Sequence, residues 1–184
     1  MRIGVDICMI DIIQKMTDVI RKEFPTDTID IVYYVEVVSY KFGSIVDPKD
    51  HMRKDIIREL IYLIPNLDDN VKSKILIYTR NPENASQFDE STCDTENVRD
   101  INIKILLDSI APFFLFELVN VGYRIAVVSR KFDNKSKNEA KSMIMNLVNQ
   151  TDLNNDEKSL IHIIAISPEY YKQIGLESYS SYLE

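Results

Sequence analysis

The sequence predicts an α/β fold: a three-layer sandwich with a mostly parallel central sheet and helices on both faces, built by one domain over residues 1–184. Three observations predict it. Runs rich in β-branched and aromatic residues occur at 2–7, 28–42, 73–80, 123–129 and 159–167, and stretches with helical apolar spacing separate them. Strands alternating with helices are joined by crossovers, which favour parallel pairing with both faces covered. The chain, 45% hydrophobic and 28% charged over 184 residues, can bury one substantial core.

The opening residues 1–10, M-R-I-G-V-D-I-C-M-I, read as a short strand that delivers Asp6 to its carboxyl end, where open α/β sheets place ligands. Met9, Ile12, Ile13, Met16, Val19 and Ile20 then form a 3.6-residue stripe opposite Lys15, Asp18, Arg21 and Lys22, a helix stopped at Phe24-Pro25. Residues 28–42 exceed a typical strand, so two strands or one bent strand are expected there. Pro48 suits the first position of a helix carrying Met52, Ile56, Ile57, Leu60 and Leu63 or Ile64 on one side, with Pro65 ending it.

Residues 73–80 form a compact buried strand, and the polar stretch 81–96 a surface loop. Residues 97–121 read as a very apolar helix broken at Pro112, with Gly122 as its cap. The segment 123–129 is the clearest strand. A helix over 138–150, with Ala140, Met143, Ile144, Leu147 and Val148 on one face, leads to a last strand at 159–167. Pro168 starts a terminal helix, and no internal repeat or linker is expected.

A net charge of −7 argues against a nucleic-acid surface, which needs clustered Lys and Arg. Arg2 and Asp6 interrupt the N-terminus and no charge-free apolar run reaches 18 residues, so neither a signal peptide nor a membrane span is expected. Cys8 and Cys93 suggest no disulfide framework, and the expected location is intracellular, in cytoplasm or nucleus. His51 and His162 lack partners at ligand spacing, and no phosphate-loop, dinucleotide or nucleophile-elbow motif occurs. The expectation is therefore a chain without cofactor, metal or catalytic group.

In the order of its elements the chain resembles a reduced von Willebrand factor A (VWA) domain, a Rossmann-like fold. M-R-I-G-V-D-I stands for its first strand, residues 28–42 for its hairpin, S-K-I-L-I-Y-T-R-N for its fourth strand and V-G-Y-R-I-A-V-V-S for the next. The family's D-x-S-x-S metal motif is degenerate here, as Asp6-Ile7-Cys8-Met9-Ile10, and its T-D is Thr79-Arg80. The vestigial metal positions are thus Asp6, Cys8 and Thr79, and with so few oxygen ligands no divalent cation is expected. Arg80 is a candidate partner for Asp6.

Intracellular VWA-like proteins without the metal motif act as scaffold subunits. The resemblance therefore implies a non-catalytic subunit of a multiprotein complex, with the ubiquitin-receptor type of the proteasome regulatory particle favoured and other protein subunits as partners. The competing resemblance is to haloacid-dehalogenase-like phosphatases, with Asp6 as nucleophile and Ser129 as phosphate-binding hydroxyl. Cys8 in place of the general acid and the lack of late paired acids make that an inactive or vestigial enzyme.

Residues 101–119 carry apolar side chains around the whole helical circumference. Either this helix is buried centrally, or the break at Pro112 exposes Phe113, Phe114 and Phe116 for another chain to cover.

Overall fold

The β-rich run T-I-D-I-V-Y-Y-V-E-V-V forms one unbroken strand, β1 (Thr28–Val38). The computed structural model describes residues 12–39, 49–80, 96–115 and 117–173, so the expected strand at 2–7 lies outside the described residues. The expected break within 28–42 does not occur over 28–38. No turn residue interrupts that stretch, and β3 (Leu118–Val128) matches it in length. The two pair antiparallel from Thr28↔Val128 to Val38↔Leu118.

β2 (Leu76–Arg80) runs parallel to the second half of β1, and β4 (Ile161–Ile166) parallel to the second half of β3. The order is β2-β1-β3-β4, a mixed sheet in which two of the three pairings are parallel. The helices are α1 (Ile12–Glu23), α2 (Lys49–Tyr62), α3 (Asp69–Lys72), α4 (Ile101–Ile110), α5 (Lys137–Val148), α6 (Asn155–Ser159) and α7 (Pro168–Gln173). After α4, Pro112 shapes a single 3-10 turn at Ala111–Phe113, and the chain becomes strand at Leu118. The expected helix to residue 121 is thereby corrected. Gly122 caps nothing; it lies inside β3, facing the Tyr34 ring.

The order α-β-α-α-β occurs twice, as α1-β1-α2-α3-β2 and α4-β3-α5-α6-β4. The packing repeats too. α1 lies on β1 and α5, α4 on β3 and α2, while α2 covers β2 and α5 covers β4. Ser39 N–H donates to Arg80 O at 2.9 Å, and the equivalent Ser129 N–H to Ile166 O at 3.1 Å. An approximate two-fold axis thus passes through the Tyr33↔Tyr123 pair at mid-ladder.

The expectation of no internal repeat is therefore wrong, in the sequence as well. Between 13–42 and 103–132, ten of thirty positions are identical at an offset of 90: Ile13, Asp18, Ile20, Phe24, Tyr33, Val37, Val38, Ser39, Lys41 and Phe42. Leu67, Lys72, Ser73, Ile75 and Ile77 recur as Leu153, Lys158, Ser159, Ile161 and Ile163 at an offset of 86. The change of offset hides the repeat from a search for one fixed period.

The two faces of the sheet differ. Odd-numbered strand residues, among them Tyr33, Val35, Val37, Val121, Ile125 and Ile163, share one apolar core with Ile12, Met16 and Ile20 of α1, Ile57 and Ile61 of α2, Leu106 and Ile110 of α4, and Ile144 of α5. Period-two alternation puts the other set on the opposite face. There Glu36 pairs with Arg80 at 2.7 Å and Arg124 with Asp30 at 2.9 Å, Glu36 and Arg124 both being buried.

Candidate functional site

Among the expected site residues, Asp6, Cys8 and Phe116 lie outside the described residues. Thr79 sits in β2 opposite Val37, and its neighbour Arg80 is ion-paired with Glu36 across the β1–β2 pair. Ser129 is buried, and its Oγ accepts the Lys131 N–H at 3.1 Å as the cap of a short 3-10 turn. No group of three or more His, Cys, Asp or Glu among the described residues is placed to hold a metal ion.

The turn around Pro112 divides its aromatic residues. Phe114 packs against the core, while Phe113 and Leu115 are 66% and 67% exposed. Phe114 N–H donates to Ala111 O at 3.0 Å and Glu117 N–H to Phe114 O at 3.1 Å, so the backbone holds the two apolar side chains outward. Docking through Phe113 is compatible with this geometry. Phe114 belongs to the fold.

The sequence reading missed the polar centre of the molecule. Asp100 caps α4, accepting the Asn102 N–H at 2.9 Å on Oδ1, while its Oδ2 accepts the hydroxyls of Tyr33 (2.8 Å) and Tyr123 (2.9 Å). Asn102 Nδ2 donates to the Tyr33 hydroxyl at 3.1 Å. Burial, followed by the Asp100 charge, holds the Tyr123 phenol far above its usual range. An Asp one residue before a helical pattern is the signal that could have marked Asp100.

Glu157, fully buried, accepts Arg99 Nε (3.0 Å) and NH2 (2.7 Å), the Arg99 N–H (3.0 Å) and the Asn154 N–H (3.0 Å). Burial pushes this carboxyl up, but the hydrogen bonds and charge of Arg99 outweigh it and hold it below the usual range. Asp100 and Glu157 therefore have their oxygens committed to the fold.

A cleft of about 680 Å³ lies between α5 and β4. Its wall includes six successive residues, His162 to Ser167, and its rim carries Lys135, Lys137 and Lys141, with no acid among the lining residues. His162 is pushed down to about 4, first by burial and then by the positive charges of Lys141, Arg80, Arg124 and Lys137.

No protein-family model, curated protein or solved structure matches this chain. No described helix is long and apolar enough to cross a membrane.

Proposed function

We propose that the chain is a non-catalytic protein-binding module, a scaffold subunit of an intracellular multiprotein assembly, which docks a partner through the turn at residues 113–115. The observation that carries this is the outward pair Phe113 and Leu115 on a backbone fixed by Pro112 and the inward Phe114. A rigid apolar knob loses little entropy when covered, which favours its use as an interface anchor. The engagement of Asp100 and Glu157 in structural hydrogen bonds supports a scaffold rather than an acid–base catalyst. A VWA-like second layer over the even-numbered face, with the proteasome regulatory particle as the favoured setting, belongs to the same proposal; the burial of Glu36 and Arg124 supports that layer. The phosphatase-like reading requires an open Ser129 hydroxyl, and the buried capping role of Ser129 gives it no support.

The test is affinity capture from the native source with the full chain and its Phe113→Asp and Leu115→Asp variants, melting curves being recorded for each. Unchanged melting with loss of the co-purifying subunits is expected. Retention of the same subunits by both folded variants would exclude this surface.

A further inference from the structure

We propose that the cleft between α5 and β4 binds an extended acidic peptide segment, which adds as a strand to the free edge of β4. This surface is separate from the Phe113 turn, and its test is independent of that proposal.

The ladder geometry sets the direction of each β4 backbone group. Tyr123 N–H donates to Leu160 O at 3.0 Å and Ser129 N–H to Ile166 O at 3.1 Å. In a parallel pair, alternate residues turn both backbone groups to the neighbour, so even-numbered residues of β4 face β3. The N–H and C=O groups of Ile161, Ile163 and Ala165 point the other way, and no described residue bonds to them there. An edge strand with such a row of alternating donors and acceptors is a template on which another strand can pair.

The edge is recessed. Ile163 and Ala165 are each 5% exposed and line the cleft, so they form its floor rather than an outer rim. A flat strand of a second copy meets such an edge poorly, whereas one extended segment can enter the groove. The strand itself, I-H-I-I-A-I, has no Lys, Pro or Gly to blunt its edge.

Charge selects the class of segment. Lys137 and Lys141 lie one turn apart on α5, above the free edge, and enter no ion pair with a described residue. Lys141 and Lys137 also add, after burial, to the depression of His162 on the cleft wall. In a chain of net charge −7, this lining without an acid favours carboxylates. Backbone pairing would supply register, and the lysines selectivity for acidic side chains.

The test uses the full chain and a labelled eight-residue peptide alternating Glu and Val, titrated by fluorescence anisotropy. A Lys/Val counterpart and a Glu/Val peptide N-methylated at alternate residues serve as comparisons. The expected result is saturable binding by the Glu/Val peptide, at least about tenfold tighter than by either comparison, weakening as salt is raised. Lys137→Gln and Lys141→Gln, made singly, should each weaken it about threefold. Amide exchange at Ile163 and Ala165 should slow on binding. Absence of saturable binding would overturn the proposal, as would equal binding of the N-methylated peptide. Self-association of the free chain that already protects those two amides would assign the edge to a second copy instead.

Discussion

Tyr33 and Tyr123 face each other at the middle of the β1–β3 ladder, ring centroids 5.6 Å apart, and both hydroxyls donate to the same oxygen of Asp100. Asp100→Ala removes a helix cap and leaves two buried phenols short of an acceptor. A loss of about 2–4 kcal/mol is expected in urea unfolding. Tyr123→Phe, which keeps the ring, should cost about 1–2 kcal/mol. Because the folded Tyr123 holds its proton to higher pH than the unfolded chain, where tyrosine titrates near 10, stability is retained below about pH 10 and falls above it. Tyr123→Phe should flatten that alkaline slope.

Gly122 is required for space rather than for backbone freedom. A Cβ there would overlap the Leu160 carbonyl oxygen and lie 2.9 Å from Tyr34 Cε1. The carbonyl accepts the Tyr123 N–H and cannot retreat without opening the β3–β4 ladder. Gly122→Ala should destabilise by about 2–4 kcal/mol, with faster amide exchange at Tyr123 than elsewhere in β3.

Glu157 and Asp152 both have carboxyls held below their usual ranges. At Glu157 the hydrogen bonds and charge of Arg99 overcome burial; at exposed Asp152 the Lys15 hydrogen bond leads. Their contribution is full above the unfolded values near 4–4.5 and is lost as pH falls through the folded ones. Glu157→Gln should cost about 2–4 kcal/mol at pH 7, since it leaves Arg99 without its carboxylate, and should reduce the acid sensitivity. Equal pH profiles for the variant and the parent would refute this.

His162 acts in the opposite sense to a histidine with an acidic partner. Its folded value of about 4 lies below the unfolded 6.5, so the unfolded chain takes up a proton first as pH drops. Stability is full above about pH 6.5 and declines toward pH 4, by roughly 1–2 kcal/mol given the partial exposure of the ring. His162→Gln should remove that decline, visible as a melting temperature flatter between pH 6.5 and 4.5.

The sequence revealed the α/β class, the strands at 73–80, 123–129 and 159–167, and the helix stripe Ile12, Met16 and Ile20, because period and β-branching report burial directly. The antiparallel meeting of β1 and β3 was not legible. It depends on a partner ninety residues away, and no local signal separates a long strand paired along its length from a hairpin with an unmarked turn. Leu118 to Val121 were absorbed into the apolar helix before them, since a run of large apolar residues fits a buried helix and a buried strand alike. Asp100 was passed over because an acid inside a polar stretch looks solvated until two tyrosines from distant strands arrive at it. The Phe113 turn was half legible: Pro112 announced the break, but which aromatic points inward depends on α4 packing.

The β1–β3 ladder is the seam between the two repeated halves, which meet across it as two subunits of a dimer would. Because the halves lie on one chain, their meeting is a loop closure rather than a bimolecular encounter, and its cost grows only slowly with loop length. That boundary is also the most non-local pairing in the sheet, Thr28 with Val128, so its formation is expected to be the late, rate-setting event of folding. The two edges of the sheet are not alike. At equivalent positions one half carries Lys74, Leu76 and Tyr78 where the other has Leu160, His162 and Ile164.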